Sequence, residues 1–195
     1  MDEEITIIDA KTRNEKIKIF FVTNKKLLIS SLIILILIVL SFYSYQIYKD
    51  GHREQLSEKY NSALINYEGG DKSKTTQIMK EVIEDKDSTY SPLALYFLID
   101  NKLIKNKAEI NDLFDIIIKK TPLENEIKNL IIYKKALYNA EISSENELLD
   151  TLSPLINSKS VWKSHALYLI AEYFYSKKEE QKAKEFFKQI LGTEN

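Results

Sequence analysis

The stretch HALYLIAEYFYSKKEEQKAKEFFKQIL, residues 165–191, decides how the chain folds. Leu167, Ile170, Ala171 and Phe174 recur at three- and four-residue spacing, which places them on one face of a helix. The polar run Ser176–Gln181 breaks the pattern, and a second helix then gathers Ala183, Phe187, Ile190 and Leu191 on one face. The small Ala171 and Ala183 let two helices approach closely, while Phe174 and Phe187 fill the space beside the contact. The stretch reads as two helices packed through those faces.

The order of small and aromatic positions in this unit resembles the tetratricopeptide repeat, a 34-residue helix pair. The first-helix Trp and the turn Gly of that repeat are replaced here by Leu167 and Lys178. Working backwards, the same pattern recurs. In 57–85, Tyr60, Ala63, Leu64 and Tyr67 precede the turn signal Gly69-Gly70-Asp71, and Thr75, Met79, Val82 and Ile83 follow. In 91–119, Pro92 suits a helix first turn, and Ala94, Phe97 and Leu98 face Ile110, Phe114 and Ile117. In 122–156, Pro122 opens a helix with Ile127, Leu130, Ile131 and Leu137 on its face; Leu148 and Leu152 lie on the next, which Pro154 ends. The expectation is an all-α domain over 49–195, a tetratricopeptide-like right-handed stack of about four helix pairs.

Upstream lies LLISSLIILILIVLSFYSYQIY, Leu27 to Tyr48, without a charge. As a helix at ~1.5 Å per residue it reaches ~33 Å, enough for a hydrocarbon core of ~30 Å. A buried core helix would be unusually apolar around its whole perimeter. A cleaved signal peptide would have a shorter apolar region followed by small residues, whereas Phe42, Tyr43, Tyr45 and Tyr48 follow here. Those rings suit an interfacial belt. The expectation is one transmembrane helix over 27–48, running into the first repeat helix with at most a kink at Gly51. Lys11, Arg13, Lys16, Lys18, Lys25 and Lys26 precede it, against Lys49, Arg53 and Lys59 after it. The richer side stays cytoplasmic, which puts residues 1–26 inside and the C-terminal domain in the periplasm of a bacterial inner membrane. The short tail reads either as a flexible charge cluster or, over Lys16–Val22, as a helix with Ile17, Phe20 and Phe21 dipping into the surface.

Composition closes off other classes. The 195 residues carry a net charge of -1, which supplies no basic stripe for nucleic acid. With no cysteine, disulfides, thiolate metal sites and a Cys nucleophile are excluded; four glycines and three prolines argue against an all-β chain. His52 and His165 are isolated, and carboxylate pairs such as Glu179-Glu180 lie in lysine-rich solvated stretches. No catalytic residue, cofactor, metal or small-molecule substrate is expected. The candidate partner-binding residues lie on first-helix faces that the core pattern leaves unused: His165, Tyr168, Glu172 and Tyr175 in the last pair, Tyr60 and Tyr67 in the first. The competing reading packs these tyrosines between neighbouring helices. Trp162 reads as a plug ahead of the last pair.

The short charged tail, the early span and the degenerate helix pairs together resemble the ancillary SecYEG translocon subunit family, the YfgM-like proteins of bacterial inner membranes. The residues carrying the resemblance are YQIY (45–48), the YxxAL…GGD stretch (60–71) and SPLINSKSVWKSHALYLIAEYF (153–174). That resemblance implies a non-enzymatic scaffold whose partners, besides the lipid bilayer, are the Sec translocon and periplasmic chaperones. Two alternatives stay open: a Sec-independent envelope adaptor in division or outer-membrane assembly, and a membrane-tethered regulator acting through its cytoplasmic tail.

Overall fold

A computed structural model describes residues 15–192, which are helical with no strand among them. The acidic start of the tail and two of its cations, Lys11 and Arg13, lie outside the described residues. Residues 15–23 form α1. Then come α2 (Lys25–Glu68), α3 (Lys72–Glu84), α4 (Tyr90–Asp100), α5 (Lys107–Lys120), α6 (Asn125–Asn139), α7 (Glu145–Ile156), α8 (Lys163–Ser176) and α9 (Glu180–Leu191). The chain divides into two compact units, Met1–Glu54 and Gln55–Asn195, with α2 contributing to both.

In the first unit the helical assignment of α2 passes through Gly51 without a break. Its apolar residues from Leu27 to Tyr48 are exposed almost throughout, and α2 is long and apolar enough to cross a membrane. The two early serines carry no polar debt into such a phase. Ser30 Oγ donates to Leu27 O and Ser31 Oγ to Leu28 O, both at 2.9 Å.

The second unit is a chain of helical hairpins, and local chemistry fixes several of the helix starts. Asp71 caps α3 by accepting from Lys74 N–H at 3.0 Å, and Asn106 caps α5 by accepting from Ala108 N–H at 2.9 Å. Ser144 and Glu147 form a reciprocal capping box at the start of α7. The Asp87 carboxylate accepts from Thr89 and Tyr90 N–H, both at 2.8 Å, and Pro92 falls in the first turn of α4, where its missing N–H costs nothing. Buried hydroxyls then tie helices together. Thr75 Oγ1 donates to Ala63 O across the first hairpin, and Ser91 Oγ donates to Val82 O across α3–α4.

Packing follows chain order. Each helix from α3 onward rests on its successor, and second neighbours meet at α3–α5 and α6–α8. One core holds the end of α2 with α3, α4, α5 and Ile131 of α6; the other holds the rest of the buried face of α6 with α7 to α9; Ile118 of α5 packs against both. Leu167, Ile170, Ala171, Phe174 and Ala183 are buried, as the last stretch requires. So are Ala63, Thr75, Met79, Val82 and Ile83 in the first hairpin and Ala94, Leu98, Ile110, Phe114 and Ile117 in the second.

Four details differ from the expectation. Leu191 is 70% exposed, because α9 turns its inner face through Ala183, Phe186 and Phe187 instead. Pro122 does not open α6; it sits in the connection, and the helix begins at Asn125 behind the extended Glu124. Pro154 does not end α7, which continues to Ile156, since a proline near the C-terminal end sacrifices only its own hydrogen bond. Finally, α6 buries Ile131, Ile132 and Ala136, while Ile127 and Leu137 are 41% and 46% exposed. The expected face of α6 is rotated.

The first and last hairpins share a register that the middle ones lack. Tyr60, Ala63, Tyr67, Gly70 and Thr75 recur at identical spacing as Tyr168, Ala171, Tyr175, Lys178 and Ala183. Gly70 has φ +87° and Lys178 has φ 64°, so the lysine takes up the left-handed turn that glycine makes in the first hairpin. Lys86 and Lys102 also lie in the left-handed region at helix ends.

Candidate functional site

The aromatic stripe splits by location. Tyr60 is half-buried against the first core, its ring 5.8 Å from Tyr90 of α4. Tyr67 stands edge-on to Phe97 at 5.1 Å. In the first hairpin, therefore, the stripe is the seam with the next hairpin, as the competing reading had it. In the last hairpin it is open: Tyr168 is 51% and Tyr175 64% exposed, and Glu172 and His165 are exposed with them. The Tyr168 hydroxyl donates to Glu172 at 2.9 Å, which holds its pKa above the ordinary phenol value. Its ring leans on Phe187 at 5.8 Å. His165 sits at the other end, 5.2 Å from Trp162 and 5.9 Å from Tyr133. Trp162 stacks on Tyr133, so it closes the α6–α8 seam as well as preceding α8.

The central seam differs from these two. Aromatic pairs close α2–α4 and α6–α8, but between α4 and α6 an open cleft of about 540 Å³ is lined by Leu93, Leu123, Ile127 and Leu130. A second, of about 300 Å³, lies between Ile99, Leu137 and Tyr138. Tyr96 borders both. Its hydroxyl is buried without a hydrogen-bond partner, and burial first, then the charge of Asp100, pushes its pKa up to about 12. Lys134 reaches over the ring at 5.9 Å. Sequence reasoning missed this seam, because it placed Ile127 and Leu137 in the core. The one signal available was that α6 carries more apolar residues than one face can hold.

Polar links elsewhere staple the hairpins together. Asp115 accepts from Lys135 at 2.6 Å and from Lys119 at 3.1 Å; burial works to raise its pKa, but the two lysines outweigh it and hold the carboxyl below its usual value. Asn111 and Asn139 exchange hydrogen bonds at 2.7 and 3.0 Å, and Glu126 accepts from Ser160 Oγ at 2.8 Å. Among the described residues no group of three or more His, Asp or Glu is placed to hold a metal ion. The carboxylates seen here serve as helix caps and staples. Comparison of the chain with family models, curated proteins and solved structures finds no match in any of the three.

Proposed function

We propose that this chain is a single-pass, membrane-anchored interaction scaffold whose hairpin array, tetratricopeptide-like in its outer hairpins, displays a docking surface outside the membrane. The observation that carries the reading is the open Tyr168–Glu172–Tyr175 stripe. Its two tyrosines stand where Tyr60 and Tyr67 of the first hairpin pack against a neighbouring helix through Tyr90 and Phe97. A surface that packs a helix at one end of the array is competent to pack one at the other. The exposed span supports the anchor, and the lysine excess before it supports a cytoplasmic N-terminus and a periplasmic domain in a bacterial inner membrane.

The partner proposed is the Sec translocon, with periplasmic chaperones as second partners. This rests on the family resemblance of the whole architecture. The alternative partners are those of envelope division or outer-membrane assembly. A photo-crosslinker at Tyr175 in native membranes, followed by mass spectrometry, separates the two. Translocon subunits or periplasmic chaperones among the adducts support the proposal, and division or outer-membrane assembly proteins alone replace it. The Tyr168→Ala, Tyr175→Ala double variant tests the surface. Interface anchors typically cost ~2 kcal/mol or more each on truncation, so co-purification should be lost with the melting curve unchanged. Retained co-purification on an intact fold places the interface elsewhere.

A further inference from the structure

The segment ahead of the span is unexplained by anchoring alone. In α1, Ile17, Ile19, Phe20, Phe21 and Val22 are all exposed, by 48–69%. Counted from Leu27 along a continuous helix, they would stand roughly 8–15 Å beyond the apolar span, past the hydrocarbon and among headgroups or in water. A coaxial α1 would therefore leave five large apolar side chains in a polar phase. The helix loosens at Asn24, a turn residue whose backbone N–H and side-chain amide both donate to the Phe20 carbonyl, each at 2.9 Å. Such a shared acceptor at an isolated turn marks a joint between two helical segments. The charge is one-sided: residues 15–26 hold Lys16, Lys18, Lys25 and Lys26 against the single carboxylate of Glu15.

We infer that α1 folds over at Asn24 and lies in the membrane surface, with Phe20 and Phe21 in the acyl boundary and the four lysines on anionic lipid headgroups. The inference rests on the anchored reading of α2 and adds a lipid class to it. Apolar side chains and cations on a helix beside the bilayer are complementary to an anionic interface and to no aqueous partner as closely. Lipid composition then governs whether the tail is docked or free.

The absence of cysteine makes the test clean, because one introduced thiol carries the only label. The full chain, with Phe21→Cys or Val39→Cys and an environment-sensitive fluorophore, is reconstituted into vesicles containing spin-labelled acyl chains. The vesicles are phosphatidylcholine alone or phosphatidylcholine with phosphatidylglycerol. The label at Val39 should be quenched in both. The label at Phe21 should be quenched strongly only with phosphatidylglycerol, and Lys16→Gln with Lys18→Gln should cut its docked-to-free ratio ~30-fold, from the contribution of each lysine near an anionic surface. Equal quenching at Phe21 in the two vesicle types overturns the anionic-lipid claim. No quenching at Phe21 beside full quenching at Val39 overturns docking while leaving the anchor standing. An unquenched Val39 label overturns the anchor, and the inference with it.

Discussion

Replacing Tyr96 by phenylalanine should stabilise the protein. A tyrosine-to-phenylalanine change at a bonded hydroxyl normally loses about 1 kcal/mol. At Tyr96 the sign reverses, because the hydroxyl is buried with no partner and has already lost its hydration without compensation. An unsatisfied buried group costs about 1–3 kcal/mol, while the phenyl ring keeps its packing and the cation of Lys134 above it. The expected gain is about 1–2 kcal/mol, or roughly 3–8 °C in the melting temperature of a domain this size. The alkaline limb gives a second readout. The folded-state pKa of about 12 lies above the ordinary 10.0, so stability is intact below pH 10.0 and falls as pH rises from there toward 12. The phenylalanine variant lacks that contribution and should keep more of its stability above pH 10.0. The assay is thermal unfolding of the full chain in detergent, followed by Trp162 fluorescence, at neutral and alkaline pH. A destabilised variant would show that the hydroxyl has a hydrogen-bond partner, and an unchanged alkaline limb would show that it is solvated; either result would make the account of the central seam wrong.

Further expectations follow from packing and backbone. Ala171, fully buried, should not tolerate Glu: an unpaired carboxylate there has its pKa raised by about 3–5 units and is driven to its protonated form, costing about 3–4 kcal/mol at neutral pH. Because that pKa is raised, the loss should shrink as pH falls toward the ordinary carboxylate range, whereas Glu179→Ala, on the surface, should melt as the parent does. Lys178→Gly should stabilise by about 0.5–1 kcal/mol by relieving a left-handed backbone, and Gly70→Ala should destabilise by about 1 kcal/mol although its Cβ meets nothing. Chemical denaturation of these two variants checks both signs.

The span and the outer hairpins were legible because each carries a signal that depends on local spacing alone. The charge-free run 27–48 marks a helix long and apolar enough to cross a membrane, and Ala63–Thr75 and Ala171–Ala183 set small residues where two helices touch. The middle of the array was less legible for a physical reason. Helix α6 has apolar residues on two faces, and only tertiary packing decides that Ile131 and Ile132 go inward while Ile127 and Leu137 line an open seam. The prolines misled where their effect is graded, since Pro154 sits close enough to a helix end to be absorbed. Of the left-handed lysines only Lys178 was marked, by standing at the turn-glycine position of the repeat; Lys86 and Lys102 carry no compositional mark. The tyrosine stripe was found, but its division into a closed seam at Tyr60 and Tyr67 and an open face at Tyr168 and Tyr175 depends on which hairpin has a neighbour.

The most direct test of an anchored scaffold facing away from the cytoplasm is a pair of reporter fusions in cells. An enzyme active only outside the cytoplasm is joined after Asn195 in one chain and near Arg13 in another, and activity is read alongside resistance to carbonate extraction. The lysine and arginine excess before Leu27 leads to activity at Asn195, none at Arg13, and full retention in the membrane pellet. Activity at Arg13 with none at Asn195, or release of the chain into the soluble fraction, would contradict the account.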